Sequence, residues 1–447
     1  MKTFDAMKWI RTSIIHYSLF IIPATAGFAL TLQTVLMLRP GMLGGVPWPL
    51  ATIGIYASDV VLLVAAVIGV MRAWRIGALQ VANPGGWPVF TRRRFLLAVG
   101  LLLSLAVVNA IVSADSWLSV VGWLRITALL LALAGLPYSE RATRAFLGGF
   151  LVAMLGHVAL GLGQFMTLEA QPSTLLGIAG HNAWTLGDAV ITVPGERWLR
   201  AYGGFPHPNV LGTALLVALI AVVRWPRNNR VVSMIHDSLF IILTSALVLT
   251  FSRAALLGLV ILLAVCAWRS TTRRLAIVGT FALVAAMALT WPFWTPRFTG
   301  STPNEQRSIA ERATVVRGAL TILPNALVSR GHGLHALPAQ MYQWYGDRDL
   351  GLLQPVHNVP FLALIEIGGI GVLVLVLVLV SLLRHPLFMI HYSLFPLVLL
   401  PSLLFDHHLW SLPVGLALVF VLAVALSHRL DGPESEFHTE SVRVPSI

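Results

Sequence analysis

The chain alternates long apolar runs with short polar breaks, and the run lengths set the architecture. A helix rises about 1.5 Å per residue and the hydrocarbon layer of a bilayer is about 30 Å thick, so about 20 apolar residues span it. Runs near that length cover 14–38, 50–71, 95–114, 117–137, 145–166, 208–224, 232–251, 254–268, 274–293, 357–383, 386–405 and 409–428. They predict an all-α polytopic membrane protein with about 12 transmembrane helices. As one helix, 232–268 would be about 55 Å long, too long for a single crossing. The pattern therefore predicts a hairpin broken at Ser252-Arg253.

One long polar stretch interrupts the rhythm. From Pro296 to Pro355 the chain is rich in arginine, tryptophan, tyrosine and glycine, and it then runs through His357-Asn358 into the tenth span. Loops beyond about 15 residues are seldom mere connectors. This stretch between spans nine and ten is thus the first place to look for chemistry. Within it, Thr302-Pro303-Asn304-Glu305 reads as a capping box with proline at the first helical position. A helix should follow to about Leu323, closed by Pro324. The whole chain reads as one transmembrane domain, 1–430, which includes the partly helical segment 294–356. A polar tail of disorder-prone composition, 431–447, follows. Ala24-Thr25-Ala26 resembles a signal-peptidase site, but apolar character continues to Leu38, which favours an uncleaved first helix.

Composition sharpens the class. Of 447 residues, 57% are hydrophobic and 11% charged, against roughly 25% charged in soluble domains. The net charge of +12 sits in short clusters between apolar runs. That is membrane topology rather than nucleic-acid binding. With both termini cytoplasmic, 19 of the 30 lysines and arginines fall inside. Segments 167–207 and 296–356 then lie on the far side, away from ATP and nucleotide sugars. The lone cysteine, Cys266, excludes an intrachain disulfide.

Several polar residues sit where a membrane protein needs a reason for them. Arg253, at the tip of the hairpin, breaks the positive-inside bias and suits a polar cavity. Arg200 and His207 precede a span whose helix N-terminus favours anions, although simple turn chemistry capped by Asn209 reads equally well there. Arg312, with Val316, Ala319 and Leu320, falls near one helical face, while Arg307 and Arg317 lie elsewhere on the wheel. His357-Asn358 is followed, nine residues on, by Gly368 and Gly371, which allow close approach of another helix. Glu366, within a span, should face the protein interior, and Asp59 and Arg125 should be buried and paired. Asp347-Arg-Asp349 is an Asp-x-Asp pair of the kind that holds a metal and a sugar nucleotide, but nucleotide sugars are not on this side; His332 with His335 and His407 with His408 could bind metal but lack the closed ligand set of a structural site. No metal and no cofactor is expected.

At these residues the sequence resembles the O-antigen ligase and polymerase superfamily. The Ser252-Arg253 tip, the Glu311-Arg312 helix, the Gly331-x-Gly333 turn and the His357-Asn358 motif occur in the family's order. The His-Asn-x9-Gly-x-x-Gly spacing is most similar to the ligase branch. The resemblance implies a GT-C type glycosyltransferase of the bacterial inner membrane with a periplasmic active site. It would move a glycan from undecaprenyl pyrophosphate to a sugar hydroxyl of lipid A-core, without metal or nucleotide. Arg253 and Arg312 would be the family's essential arginines, Arg200 a further one, and His357 its essential histidine. Ser252, His207 and Asn358 stand beside them in support. His332 and His335 go beyond the family's pattern and leave the choice of base open. The chemistry is coherent: guanidinium forks grip pyrophosphate oxygens, and a neutral imidazole takes the proton of the attacking hydroxyl. An O-antigen polymerase or a protein O-oligosaccharyltransferase would share the donor. A transporter of lipid-linked glycans would favour midplane charges and internal repeats. Here the arginines gather at one surface and no repeat is found.

Overall fold

A computed structural model describes residues 20–78, 92–136, 139–193, 195–226, 229–328, 331–345, 353–391 and 394–427. Asp347, Asp349, Arg330, the chain before Phe20 and the tail 431–447 lie outside the described residues. The chain opens with α1 (Phe20–Ala29). Short strands β1 (Val35–Arg39), β2 (Met42–Leu43), β3 (Val46–Pro47) and β4 (Ile53–Tyr56) follow, then helices α2 (Ala57–Ala78), α3 (Arg92–Val112), α4 (Ser116–Ala134) and α5 (Glu140–Thr167). Strands β5 (Glu169–Ala170), β6 (His181–Asn182), β7 (Val190–Val193) and β8 (Glu196–Leu199) form two small hairpins. Then come α6 (Pro208–Arg224), α7 (Arg230–Leu249), α8 (Arg253–Trp268), α9 (Arg273–Thr299), α10 (Pro303–Val328), α11 (Leu337–Tyr345), α12 (Val359–His391), α13 (Leu400–Phe405), α14 (His408–Ser411) and α15 (Pro413–Leu426).

Helix α6 is the axis of the bundle. Every residue from Val210 to Val222 is buried, which is what a helix apolar on all sides requires. It packs against α5, α7, α8 and α15, so its first turn is held at a fixed place at one end of the bundle. Among the described residues, five helical segments are long and apolar enough to cross a membrane: Ser116–Ala134, Glu140–Thr167, Arg230–Leu249, Ser270–Thr299 and Val359–Val380. This is a helical membrane protein with few strands.

The hairpin break falls as expected. Ser252 caps α8, its Oγ accepting from Ala255 N at 3.3 Å. Phe251 turns the corner at φ +50°, a left-handed conformation costly for a residue with a Cβ. Asp59 and Arg125 do form a half-buried ion pair at 2.9 Å.

Other expectations need correction. The run 14–38 does not stay helical: β1 pairs antiparallel with β4, because Pro40, Gly41, Pro47 and Pro49 break the helix and β-branched neighbours suit strands. The second helix therefore begins at Ala57 rather than near 50. In place of a span over 386–405, α12 continues to His391, and a 3₁₀ turn (Phe395–Leu399) and α13 follow. Pro396 and Pro401 each remove an N–H donor there. Pro413 likewise splits the last run into α14 and α15. Helix α10 passes Pro324 and runs to Val328.

The wheel of α10 also shifts. Glu305, Val315, Ala319 and Ile322 are buried, with Arg312 half-buried on the same stripe, whereas Val316 and Leu320 are exposed. Gly368 admits a loop rather than a helix. It sits at φ +74°, and the carbonyls of Ile365 and Glu366 accept from His332 N and Gly333 N at 3.1 and 3.0 Å. Glu366 is buried as expected and accepts from Trp410 Nε1 at 2.7 Å.

Candidate functional site

Four separate stretches meet at one end of the bundle: the first turn of α6, the α7–α8 tip, the α9–α10 junction and the turn between α13 and α14. Between them lies a cavity of about 290 Å³ lined by Asn209, Ser252, Arg253, Ala254, Leu257, Arg297, Arg312 and Phe405. Three of the eight lining residues are arginines. The large apolar ones, Leu257 and Phe405, are about half exposed and form a rim on the bundle surface.

The arginines are fixed by different means. Arg253 Nη1 donates to the Arg297 carbonyl at 2.8 Å. Arg297 is buried; its Nε and Nη2 donate to the Phe251 carbonyl at 3.2 and 3.0 Å, and its Nη1 pairs with Glu305. The strained turn at Phe251 thus presents the carbonyl that anchors Arg297. Glu305 also faces Arg253 Nη2 at 3.4 Å. The carboxylate expected to close a capping box is instead the counter-ion of two guanidiniums. Arg312 has no hydrogen-bond partner among the described residues. Burial, and the nearby Arg253 cation, pull its guanidinium below the ordinary range, while Asp406 and Glu305 oppose this. Arg200 lies just behind the cavity wall. Its Nε donates to the Thr250 carbonyl and its Nη2 to Asn209 Oδ1, both at 2.8 Å. Burial and the charges of Arg297 and Arg312 hold it well below the usual arginine value. A pocket that crowds like charges favours an anion.

Beside the arginines stands a histidine cluster organised by Asp406. Asn209 Nδ2 donates to Asp406 Oδ2 at 2.7 Å, and His407 N donates to Oδ1 at 2.8 Å. His408 approaches Oδ1 at 3.1 Å and meets Thr213 Oγ1 at 2.9 Å. Burial alone would raise the Asp406 carboxyl, but its pairing with His408 and the adjoining His407 and His357 rings hold it well below the carboxylate range. His357 packs edge-on against His407, ring centroids 5.0 Å apart. Burial lowers its pKa, and Arg312 adds to this; burial also pulls His407 down to about 3. Both imidazoles are therefore neutral at pH 7. His207 is neutral for the same reason.

The sequence-derived residues divide clearly. Arg253, Arg312 and Ser252 line one cavity. Arg200 reaches it through Asn209. His357 lies on the Asp406–His407 side and does not line the cavity itself. Asn358 caps α12, accepting from Phe361 N at 2.9 Å, and ties it to the Leu404 carbonyl at 3.1 Å. His207, not Asn209, caps α6 through Nδ1. His332 and His335 belong to the loop docked on α12, and His335 engages the Trp410 carbonyl at 3.1 Å. Arg297, Glu305, Asn209 and Asp406 were missed as site residues. Asp406 carried a signal, a carboxylate at the edge of an apolar run. Among the described residues one group has metal-ligand types gathered together: His357, Asp406 and His407, with donor atoms within 4.8 Å of one another.

Helix bundle and site together define a polytopic membrane protein with an arginine-lined pocket next to a cluster of histidines. Residues 238–376 match the family model described as O-antigen ligase, and this match supports membership of the O-antigen ligase family. The matched segment holds Arg253, Arg297, Glu305, Arg312, His357 and Asn358, but neither Arg200 nor Asp406. It supports a ligase- or polymerase-type function in general terms. A search of curated proteins found no match.

Proposed function

We propose that this protein is an O-antigen ligase. It transfers a glycan from undecaprenyl pyrophosphate to a sugar hydroxyl of lipid A-core, at the periplasmic face of the inner membrane. The observation that carries this reading is the convergence of Arg253, Arg297 and Arg312 on one cavity, with Arg200 behind it and the histidine cluster beside it. A lipid pyrophosphate brings concentrated negative charge to the headgroup level. Guanidinium forks bind its oxygens bidentately and stay charged at every working pH. The exposed apolar rim at Leu257 and Phe405 suits the first isoprene units of the lipid.

As the anomeric carbon–oxygen bond breaks, the leaving diphosphate gains charge. Arginines held by Phe251, Thr250, Asn209 and Glu305 need no reorganisation to meet it, so they stabilise the transition state more than the ground state. On the acceptor side His357, neutral and next to Asp406, takes the proton of the attacking hydroxyl. Asp406 steadies the imidazolium that forms. Direct displacement inverts the anomeric centre and requires no covalent glycosyl-enzyme. The positive charge comes from the protein, so no metal is needed.

The test is reconstitution. Purified protein is mixed with a lipid-pyrophosphate glycan and, separately, with lipid A-core, a second lipid-linked glycan and a serine-containing peptide. Transfer to lipid A-core with inverted linkage is expected. Transfer to the second glycan instead makes the protein a polymerase, and transfer to the peptide makes it an oligosaccharyltransferase.

A further inference from the structure

We infer that His357, Asp406 and His407 form a zinc-binding site whose occupation switches the enzyme off. Their donor atoms lie within 4.8 Å of one another. Ligands on a tetrahedral zinc sit roughly 3.3 Å apart, given bonds of about 2.0–2.1 Å, so modest rotation of two imidazoles closes the set.

The supporting contacts are those a metal centre uses. Ser411 Oγ donates to the His407 carbonyl at 2.9 Å, which spends its only proton. It must therefore accept from His407 Nδ1 at 2.8 Å. That fixes the tautomer: Nδ1 carries the proton, and Nε2 keeps a bare lone pair. An outer partner on the second ring nitrogen is the usual way a ligating histidine is oriented. Asp406 is oriented likewise, by Asn209 Nδ2 and His407 N. His357 Nδ1 is buried and has no hydrogen-bond partner, an arrangement costly to maintain unless a ligand uses it. Two imidazoles and one carboxylate select zinc over magnesium or calcium. The Arg312 cation, which lines the adjoining cavity, opposes a second cation here and argues for a regulatory rather than a permanent metal.

The inhibitory consequence rests on the proposed function; the binding does not. Zinc on His357 takes the lone pair that would accept the hydroxyl proton, so transfer stops until the metal leaves.

Full-length protein in detergent is titrated with zinc chloride against a chromophoric chelator. One equivalent should bind, unaffected by millimolar magnesium. Cobalt(II) should give visible absorption of a four- or five-coordinate site. His407→Ala and Asp406→Asn should each weaken binding by more than the 10–100-fold that loss of an outer partner costs, while His332→Ala keeps it. Absence of stoichiometric binding in the native protein overturns the site, as does binding unchanged in both variants. The cobalt spectrum of the native chain decides the matter even if a variant fails to fold. In the transfer assay zinc should inhibit and chelator should restore the rate. Zinc bound with transfer undiminished leaves the metal site standing and removes His357 as the base. Transfer without any zinc binding leaves the proposed function intact and sinks only this inference.

Discussion

The arginine side and the histidine side of the site are built on opposite principles. Arg253 and Arg297 are guanidinium cations tied down by carbonyls and by Glu305. His357 and His407 are held neutral by burial. In the proposed reaction, positive charge is thus fixed in place where the diphosphate departs. It is withheld where a proton must be accepted. One pocket can serve both ends of a displacement only if the two are kept apart, and the Asn209–Asp406 hydrogen bond marks the seam between them.

The sharpest way to break this contrast is His357→Ala. The rate should fall about 10²–10⁴-fold, the range for loss of a general base, while donor binding measured by fluorescence quenching stays near normal. Equal loss of donor affinity would mean that the imidazole binds the anion and the two sides are one. On the arginine side, Arg253→Ala should cost about 10²–10³-fold in rate, comparable to removing one oxyanion donor. Arg253→Lys should recover little of it, because lysine has no planar fork. Full rescue by lysine in the same transfer assay would reduce that side to simple charge.

Glu305→Gln probes what holds the arginines together. Arg297 and Glu305 side chains are 10% and 6% exposed, so removing one charge of the pair strands the other. A loss of about 3 kcal/mol in stability is expected, read as a lowered unfolding temperature in detergent. An unchanged melt would show that the carbonyl of Phe251 alone secures Arg297.

Titration separates the sides more gently. A histidine whose folded pKa lies below its ordinary value stays neutral as pH falls past 6.5 and is lost as a base only when the pH drops through the lowered value. The acid limb of the transfer rate should therefore lie below pH 6.5. Arg312→Gln should move it upward, since that arginine contributes to the lowering. A limb above 6.5 in the native enzyme would exclude His357 as the titrating group.

How much of this was legible beforehand depended on the length scale of the signal. The α7–α8 break was legible because a 37-residue apolar run cannot cross once and Ser252 is a capping residue. Arg253 and Arg312 stood out as charges against an apolar background. The wheel of α10 was read one residue out of phase, because Val316 and Leu320 look apolar but face outward while Glu305 turns inward. Glu305 itself was hidden behind a good local explanation, the capping box, which a long-range ion pair overrode. Asp406 and Asn209 are 197 residues apart. Only the packing of α13 against α8, with Ser402 bonded to Thr213 of α6, brings them together, and no local spacing encodes that.

The smallest expected effect comes from the same helix as one of the largest. Arg307 and Arg312 are five residues apart on α10, yet they face different worlds. Arg307 is 72% exposed and paired with Glu311 one turn on, an arrangement worth about 0.3–0.5 kcal/mol. Arg307→Ala should leave transfer unchanged and shift the melt barely measurably, whereas Arg312→Ala should cripple transfer with the fold intact. Net charge falls equally in both variants. If the two were equally harmful, the pocket would be drawing its substrate through overall charge rather than through placed guanidiniums, and the distinction between the two sides would collapse.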